Sequence, residues 1–138
     1  MGHLKQVASE LALPWGMRTK TYNSRRAHEL GKWAESLGKD EDFHMAVFQA
    51  YFADGRNIAE ISVLKEIAGT IGLDGAKAEQ ILAERKFKAA VDADWAYSRT
   101  CGITAVPTFM ADGQKVVGAQ PYQALENLVL AAGINRRK

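Results

Sequence analysis

Apolar residues recur at helical spacing over about the first 100 positions of this chain and then give way to short runs suited to strands. Leu4, Val7, Ala8 and Leu11 fall at i, i+3, i+4, i+7 and predict a helix over residues 3–13, ended by Pro14, which disfavours α geometry in the residue before it. Asn23 or Ser24 can cap a second helix with the stripe Ala27, Leu30, Trp33, Ala34 and Leu37, stopped at Gly38. A third opens at Asp40 or Asp42, carries Phe43, Val47, Ala50 and Tyr51, and closes at Asp54-Gly55. Ser62 is read as the cap of a fourth, with Val63, Ile67 and Ile71 on its apolar face. Asp74 opens a fifth with Ala78, Ile81 and Leu82, running with a break into a sixth segment that holds Phe87, Val91, Trp95 and Tyr97.

The period then changes. Residues 108–111 and 115–117 suit strands, and Asp112-Gly113 between them is a strong hairpin turn because glycine tolerates positive φ. Gln120-Pro121 opens a last helix with Tyr122, Leu125, Leu128, Val129 and Ala132 on its apolar face and Gly133 as its cap. Pro107 stands at the very start of the first strand, where its missing N–H breaks no ladder bond. Only X–Pro bonds adopt cis cheaply, so a cis Val106–Pro107 bond is expected there. Such a bond turns the N–H and C=O of the preceding residue outward, toward an extended peptide or a glutathione backbone. Two strands alone are marginal in water, and no earlier segment beyond a weak candidate at residues 17–22 offers another. The pattern therefore implies missing strands, from an absent N-terminal segment or from a second chain.

Composition narrows the rest. The 138 residues suit one domain, and a net charge of +2 selects no particular partner, nucleic acid included. Residues 1–39 carry seven Lys or Arg against three Glu, most simply a solvated helical surface. No apolar stretch approaches the ~20 residues of a membrane span, and the N-terminus lacks the apolar core of a signal peptide, so no membrane partner and a cytoplasmic location are expected. Cys101 is the one cysteine and is read as a small, partly buried apolar residue at a helix end, where the helix dipole disfavours a thiolate. His3, His28 and His44 show no metal-ligand spacing, and no metal site is assigned.

The stretch Gly102-Ile103-Thr104-Ala105-Val106-Pro107-Thr108-Phe109, continued through Asp112-Gly113 to Gly118-Ala119-Gln120-Pro121, resembles the cis-proline loop and closing β-β-α unit of thioredoxin-fold proteins. The long helical run before it resembles the helical insertion of DsbA-like members. Thr21-Tyr22-Asn23-Ser24-Arg25, Phe48-x-x-Tyr51-Phe52 and Asn57-Ile58 resemble the FrnE-like branch, near the 2-hydroxychromene-2-carboxylate isomerases. The resemblance implies an α/β, thioredoxin-like (DsbA-type) fold, mostly helical, with an incomplete sheet. It implies a single domain over 1–138, with the insertion at about 1–100 and the closing unit at about 102–133. It also sets a departure in relief: the strand and Cys-Pro-x-Cys helix that open family members are absent, so the chain reads as N-terminally truncated. Thiol exchange needs a low-pKa thiolate and a resolving thiol, and one cysteine supplies neither.

Three readings follow. The chain is a DsbA-family oxidoreductase by descent, without dithiol activity of its own and with no catalytic residue assigned. Alternatively it is a glutathione-dependent isomerase, with glutathione as the one cofactor considered. Or it is a non-catalytic module binding a peptide, thiol or glutathione-like ligand. The binding residues expected are Val106, Pro107 and Thr108, with Asn23 and Arg26; the Arg25-Arg26 pair opens a helix, where backbone N–H groups favour anions. An open hairpin edge predicts a homodimer or higher oligomer through residues near 106–117.

Overall fold

The computed structural model describes residues 2–137. The helices are α1 (Gly2–Glu10), α2 (Arg25–Ser36), α3 (Asp40–Phe48), α4 (Ile61–Thr70), α5 (Gly75–Ala83), α6 (Lys88–Thr100) and α7 (Tyr122–Ala131). A π-helical turn, Gln49–Ala53, extends α3, and strands β1 (Thr108–Ala111) and β2 (Gln114–Val117) precede α7. The chain divides into two compact units, residues 1–93 and 94–138.

The first unit is helical. Leu30, Trp33 and Ala34 of α2 bury against Phe43 of α3, Leu64 and Ile67 of α4, and Ala78, Ile81 and Leu82 of α5. The stripe on α2 ends sooner than its period suggests: Leu37 is exposed, because the helix stops at Ser36 and Gly38 turns away with φ of 69°. Asp74 caps α5 as expected, its Oδ1 accepting from the N–H groups of Ala76 and Lys77 at 2.8 and 3.1 Å. Asp74→Ala should lower the thermal stability by about 1 kcal/mol in a calorimetric melt, the usual worth of a side-chain cap.

Two expectations are corrected and a third is refined. The first helix ends at Glu10 rather than residue 13, because Ala12 adopts a positive φ of 54° and Leu13 N–H turns back to the Ala8 carbonyl at 2.8 Å. That is a left-handed C-cap built without glycine. The fourth helix is entered from Glu60, not Ser62, and the preceding turn is set by Asn57 Oδ1 accepting from Ala59 N–H. The third helix widens after Phe48 into the π turn, with Asp54 N–H donating to Gln49 O at 3.1 Å. Gly16 lies against that turn: its N–H donates to Phe52 O, and a Cβ there would sit 2.0 Å from the Ala53 carbonyl oxygen. Only glycine permits such an approach.

One carboxylate is buried in this unit. Glu29 on α2 is 1% exposed. Arg85 donates to both its oxygens, Nε to Oε1 at 2.8 Å and Nη2 to Oε2 at 2.6 Å, and Arg25 Nε adds a third bond at 3.0 Å. Arg25 also donates to Asp92 at 2.6 Å and to the Lys88 carbonyl at 2.9 Å, tying α2 to the start of α6.

The second unit holds the hairpin and α7. The strands pair antiparallel, Thr108 with Val117, Phe109 with Val116, Met110 with Lys115 and Ala111 with Gln114. Asp112 and Gly113 both take positive φ, 48° and 74°, the geometry whose twist matches a two-residue hairpin. Helix α7 packs on both strands, and among the described residues the sheet has these two strands alone. Residues 17–22, the weak strand candidate, form no strand.

Candidate peptide-binding site

Between the end of α6 and β1 the chain must reverse within a few residues. Gly102 begins the reversal with φ of 70°, and its N–H closes on the Arg99 carbonyl at 2.9 Å. Lys115 Nζ reaches from β2 to the Cys101 carbonyl at 2.5 Å, tethering this end of the loop to the hairpin. At the other end Thr108 Oγ1 donates to the Ala105 carbonyl at 2.6 Å, and Gly118 N–H donates to the Pro107 carbonyl at 2.8 Å. The Val106–Pro107 peptide between these ties is cis. The loop is thus held on both sides of Val106, while Val106 itself is 90% exposed. Its backbone N–H and C=O have no partner among the described residues.

An exposed main-chain donor and acceptor at the mouth of a strand can extend a ladder to an incoming extended chain. The hairpin beside it is unusually apolar for an open surface. Phe109, Met110 and Val117 are exposed, with Met110 and Val117 on one face and Phe109 on the other.

Val106, Pro107 and Thr108 therefore lie together, and Thr108 acts through its hydroxyl as a brace of the loop. Asn23 and Arg26 lie in the first unit and each has a structural bond. Asn23 Oδ1 accepts from Arg25 N–H at 2.8 Å, opening α2, and Arg26 donates to the Ala59 carbonyl at 2.9 Å. Arg25 is committed to Glu29 and Asp92, so the pair read as an anion site spends one member on an internal network. The hydrogen bonds to Asp92 and then Glu29 raise the pKa of Arg25 above its ordinary value.

Cys101 is half-buried, and the proximity of its side chain raises the pKa of Tyr97. Among the described residues no three His, Cys, Asp or Glu side chains converge as metal ligands. The brace from Lys115 to Cys101 escapes sequence reasoning, because it joins residues with no periodic relation.

Similarity to known proteins agrees with the fold. A crystal structure from Nitrosomonas europaea, described as a "putative protein disulfide isomerase", superposes with a TM-score of 0.70 at 17% identity, covering 94% of this chain and 70% of that one. An uncharacterized Bacillus subtilis protein, YwbO, is 30% identical over 98 residues. That match spans 70% of this chain but 49% of the relative, so the chain aligns with about half of the curated relative's length. The fold is thioredoxin-like and of the DsbA type, with its helices, a two-stranded antiparallel sheet and a C-terminal helix. The DSBA-like thioredoxin domain family matches residues 1–130, and the chain belongs to that family.

Proposed function

We propose that this chain is the substrate-holding part of a thiol–disulfide oxidoreductase of the DsbA type, within its FrnE-like branch. In this reading the 138 residues bind extended polypeptide at the Val106–Pro107 loop and carry out no dithiol exchange alone. The observation that carries it is the exposed, unpartnered Val106 peptide group ahead of Pro107, in a loop braced on both sides by Thr108 and Gly118. Membership of the family supports the oxidoreductase class. The single cysteine supports the lack of turnover, since a mixed disulfide needs a second thiol to resolve it. A further segment or a second chain would supply that pair.

Peptide is favoured over glutathione as ligand. The isomerase reading places Asn23 and Arg26 on the tripeptide, and both side chains already have backbone partners. Isothermal titration tests the choice. An unfolded, reduced polypeptide should bind with a micromolar-range Kd, and Val106→Pro, which deletes the exposed N–H, should weaken it about tenfold, near the worth of one well-placed hydrogen bond. Tighter binding of glutathione than of peptide would establish the isomerase reading instead. Insulin reduction should stay at the uncatalysed rate with the 138-residue chain, and measurable turnover would refute the absence of dithiol activity.

The same hairpin supports self-association. Its open edge and the exposed Met110 and Val117 make a surface that a second copy would cover. Light scattering should give a dimer that Val117→Lys dissociates; a monomer throughout the concentration range would rule this out.

A further inference from the structure

The helical run from α3 into the π turn has two apolar faces. Phe43 and Ala50 turn into the core, with Val47 packed beside them. Met45, Phe48 and Phe52 fall at i, i+3 and i+7 and make a second stripe. Met45 and Phe48 on that stripe are exposed despite their size. The stripe lines a groove of about 460 Å³, within the ~300–1,000 Å³ of small-molecule sites. Leu4 of α1, Leu13 and Trp15 contribute to the rest of the lining. All of these residues belong to the first unit, and none is part of the Val106–Pro107 loop.

Among the described residues no charged side chain lines the groove. An ion placed there would lose water without gaining a counter-ion. Three rings stand together in the lining. Trp15 stacks on Phe52 with centroids 5.5 Å apart and 28° between the planes, and Phe48 tilts against the same Phe52 at 6.3 Å. Such a surface offers faces and edges to a further ring, which aromatic pairs prefer at roughly 4.5–7 Å between centroids. Gln49 is the one amide among the lining residues, and its side chain has no hydrogen-bond partner among the described residues. An amide both donates and accepts. Gln49, Phe52 and Ala53 of the lining all come from the π turn, a distortion of the helix that recurs at functional sites.

We propose that this groove binds an uncharged aromatic molecule that carries one hydroxyl or carbonyl group. Its rings lie on the Trp15–Phe52–Phe48 surface, and its polar group pairs with the Gln49 amide. The uncharged lining selects against ions, the three rings select an aromatic body, and the one free amide selects a single polar group. An extended peptide fits this lining poorly, because its many main-chain N–H and C=O groups would meet one amide side chain. A second copy fits it poorly as well. A closed two-fold contact sets the same surface against itself, and two facing concavities leave a void that close packing disfavours.

Titration of the 138-residue chain with 4-phenylphenol, followed by calorimetry and by the NMR signals of the Met45 methyl and the Trp15 indole N–H, tests the site. Saturable binding of one molecule per chain is expected, with both signals shifting. Biphenyl-4-carboxylate should bind at least about tenfold more weakly, since its charge gains no counter-ion. The saturated analogue 4-cyclohexylcyclohexanol should bind about threefold to tenfold more weakly, the usual advantage of ring-on-ring contact. Gln49→Leu should weaken 4-phenylphenol about fivefold to tenfold and leave biphenyl, which lacks the hydroxyl, unchanged. Phe48→Asp, and separately Met45→Glu, should abolish binding with an unaltered helical spectrum; both positions are exposed, so the fold tolerates them. Carboxylate or saturated analogue binding as tightly as 4-phenylphenol overturns the ligand class. An unchanged affinity in Gln49→Leu overturns the polar anchor. Persistent binding in both folded groove variants, or saturation without a shift at Met45 and Trp15, overturns the location. A dimer that Phe48→Asp dissociates, in a chain that takes up none of these compounds, makes the groove a self-interface and overturns the proposal.

Discussion

Glu29→Ala should lower the unfolding free energy by about 3 kcal/mol, as measured by urea denaturation at neutral pH. The carboxylate is 1% exposed and accepts from two arginines on both of its oxygens. Removing one partner of a buried pair typically costs about 3–5 kcal/mol, because the charge left behind has lost both water and its counter-ion. The lower end applies here for two reasons. The Arg85 side chain is 44% exposed and can regain water, and Arg25 keeps its bond to Asp92. Glu29→Gln preserves the volume and part of the bonding and should cost less.

The same site sets an acid limit. Hydrogen bonds from Arg85 hold the Glu29 carboxyl below its ordinary pKa; burial opposes them, and Arg25 reinforces them. A depressed native pKa means that the stabilisation is fully present above the unfolded value, about 4.3, and is lost as pH falls through the native value. Stability should therefore decline below about pH 4 in the native protein and more shallowly in Glu29→Gln. Identical acid limbs for the two proteins would show that Glu29 is not the group responsible.

Phe43→Ala should cost about 4 kcal/mol in the same assay, within the usual range for emptying an aromatic site in a core. Phe43 is 1% exposed, the bulkiest of the fully buried side chains, and belongs to the core cluster on α3, which packs against α2 and α4. The residual cavity would be walled by several rigid helices, and a site that cannot collapse carries the full cavity penalty. Against a typical domain stability of about 5–15 kcal/mol, such a loss should leave the variant partly unfolded at about 37 °C. A change under about 1 kcal/mol would mean that the helices close over the gap. By contrast, Phe48→Ala, further along the same helical run but exposed, should be nearly neutral for stability.

These two residues differ in how plainly the chain announces them. Phe43 sits in a stripe that helical periodicity picks out, as do Leu30, Trp33, Ile67, Ala78 and Ile81, and all of these are buried. Glu29 does not. With Arg25 four residues before it, it looks like one half of an ordinary solvated ion pair on a helix surface. Its burial depends on Arg85, 56 positions away, and no local pattern encodes that distance.

By itself the sequence determined what depends on neighbours within a few positions. Apolar stripes set the helices, Asp74 capped α5, and Asp112-Gly113 with two positive φ values closed the hairpin. The Val-Pro-Thr stretch marked the start of β1, because proline restricts its own backbone whatever surrounds it. Tertiary structure decided the rest. The π turn at Gln49–Ala53 has Gly16 packed against it from a distant part of the chain, and the groove beside it is assembled from α1, α3 and the 13–15 segment. Asn23 and Arg26 gained backbone partners that compete with the ligand role their motif suggested. In each case the physical reason is the same: hydrogen-bond satisfaction and close approach are settled between distant segments, where sequence periodicity carries no signal.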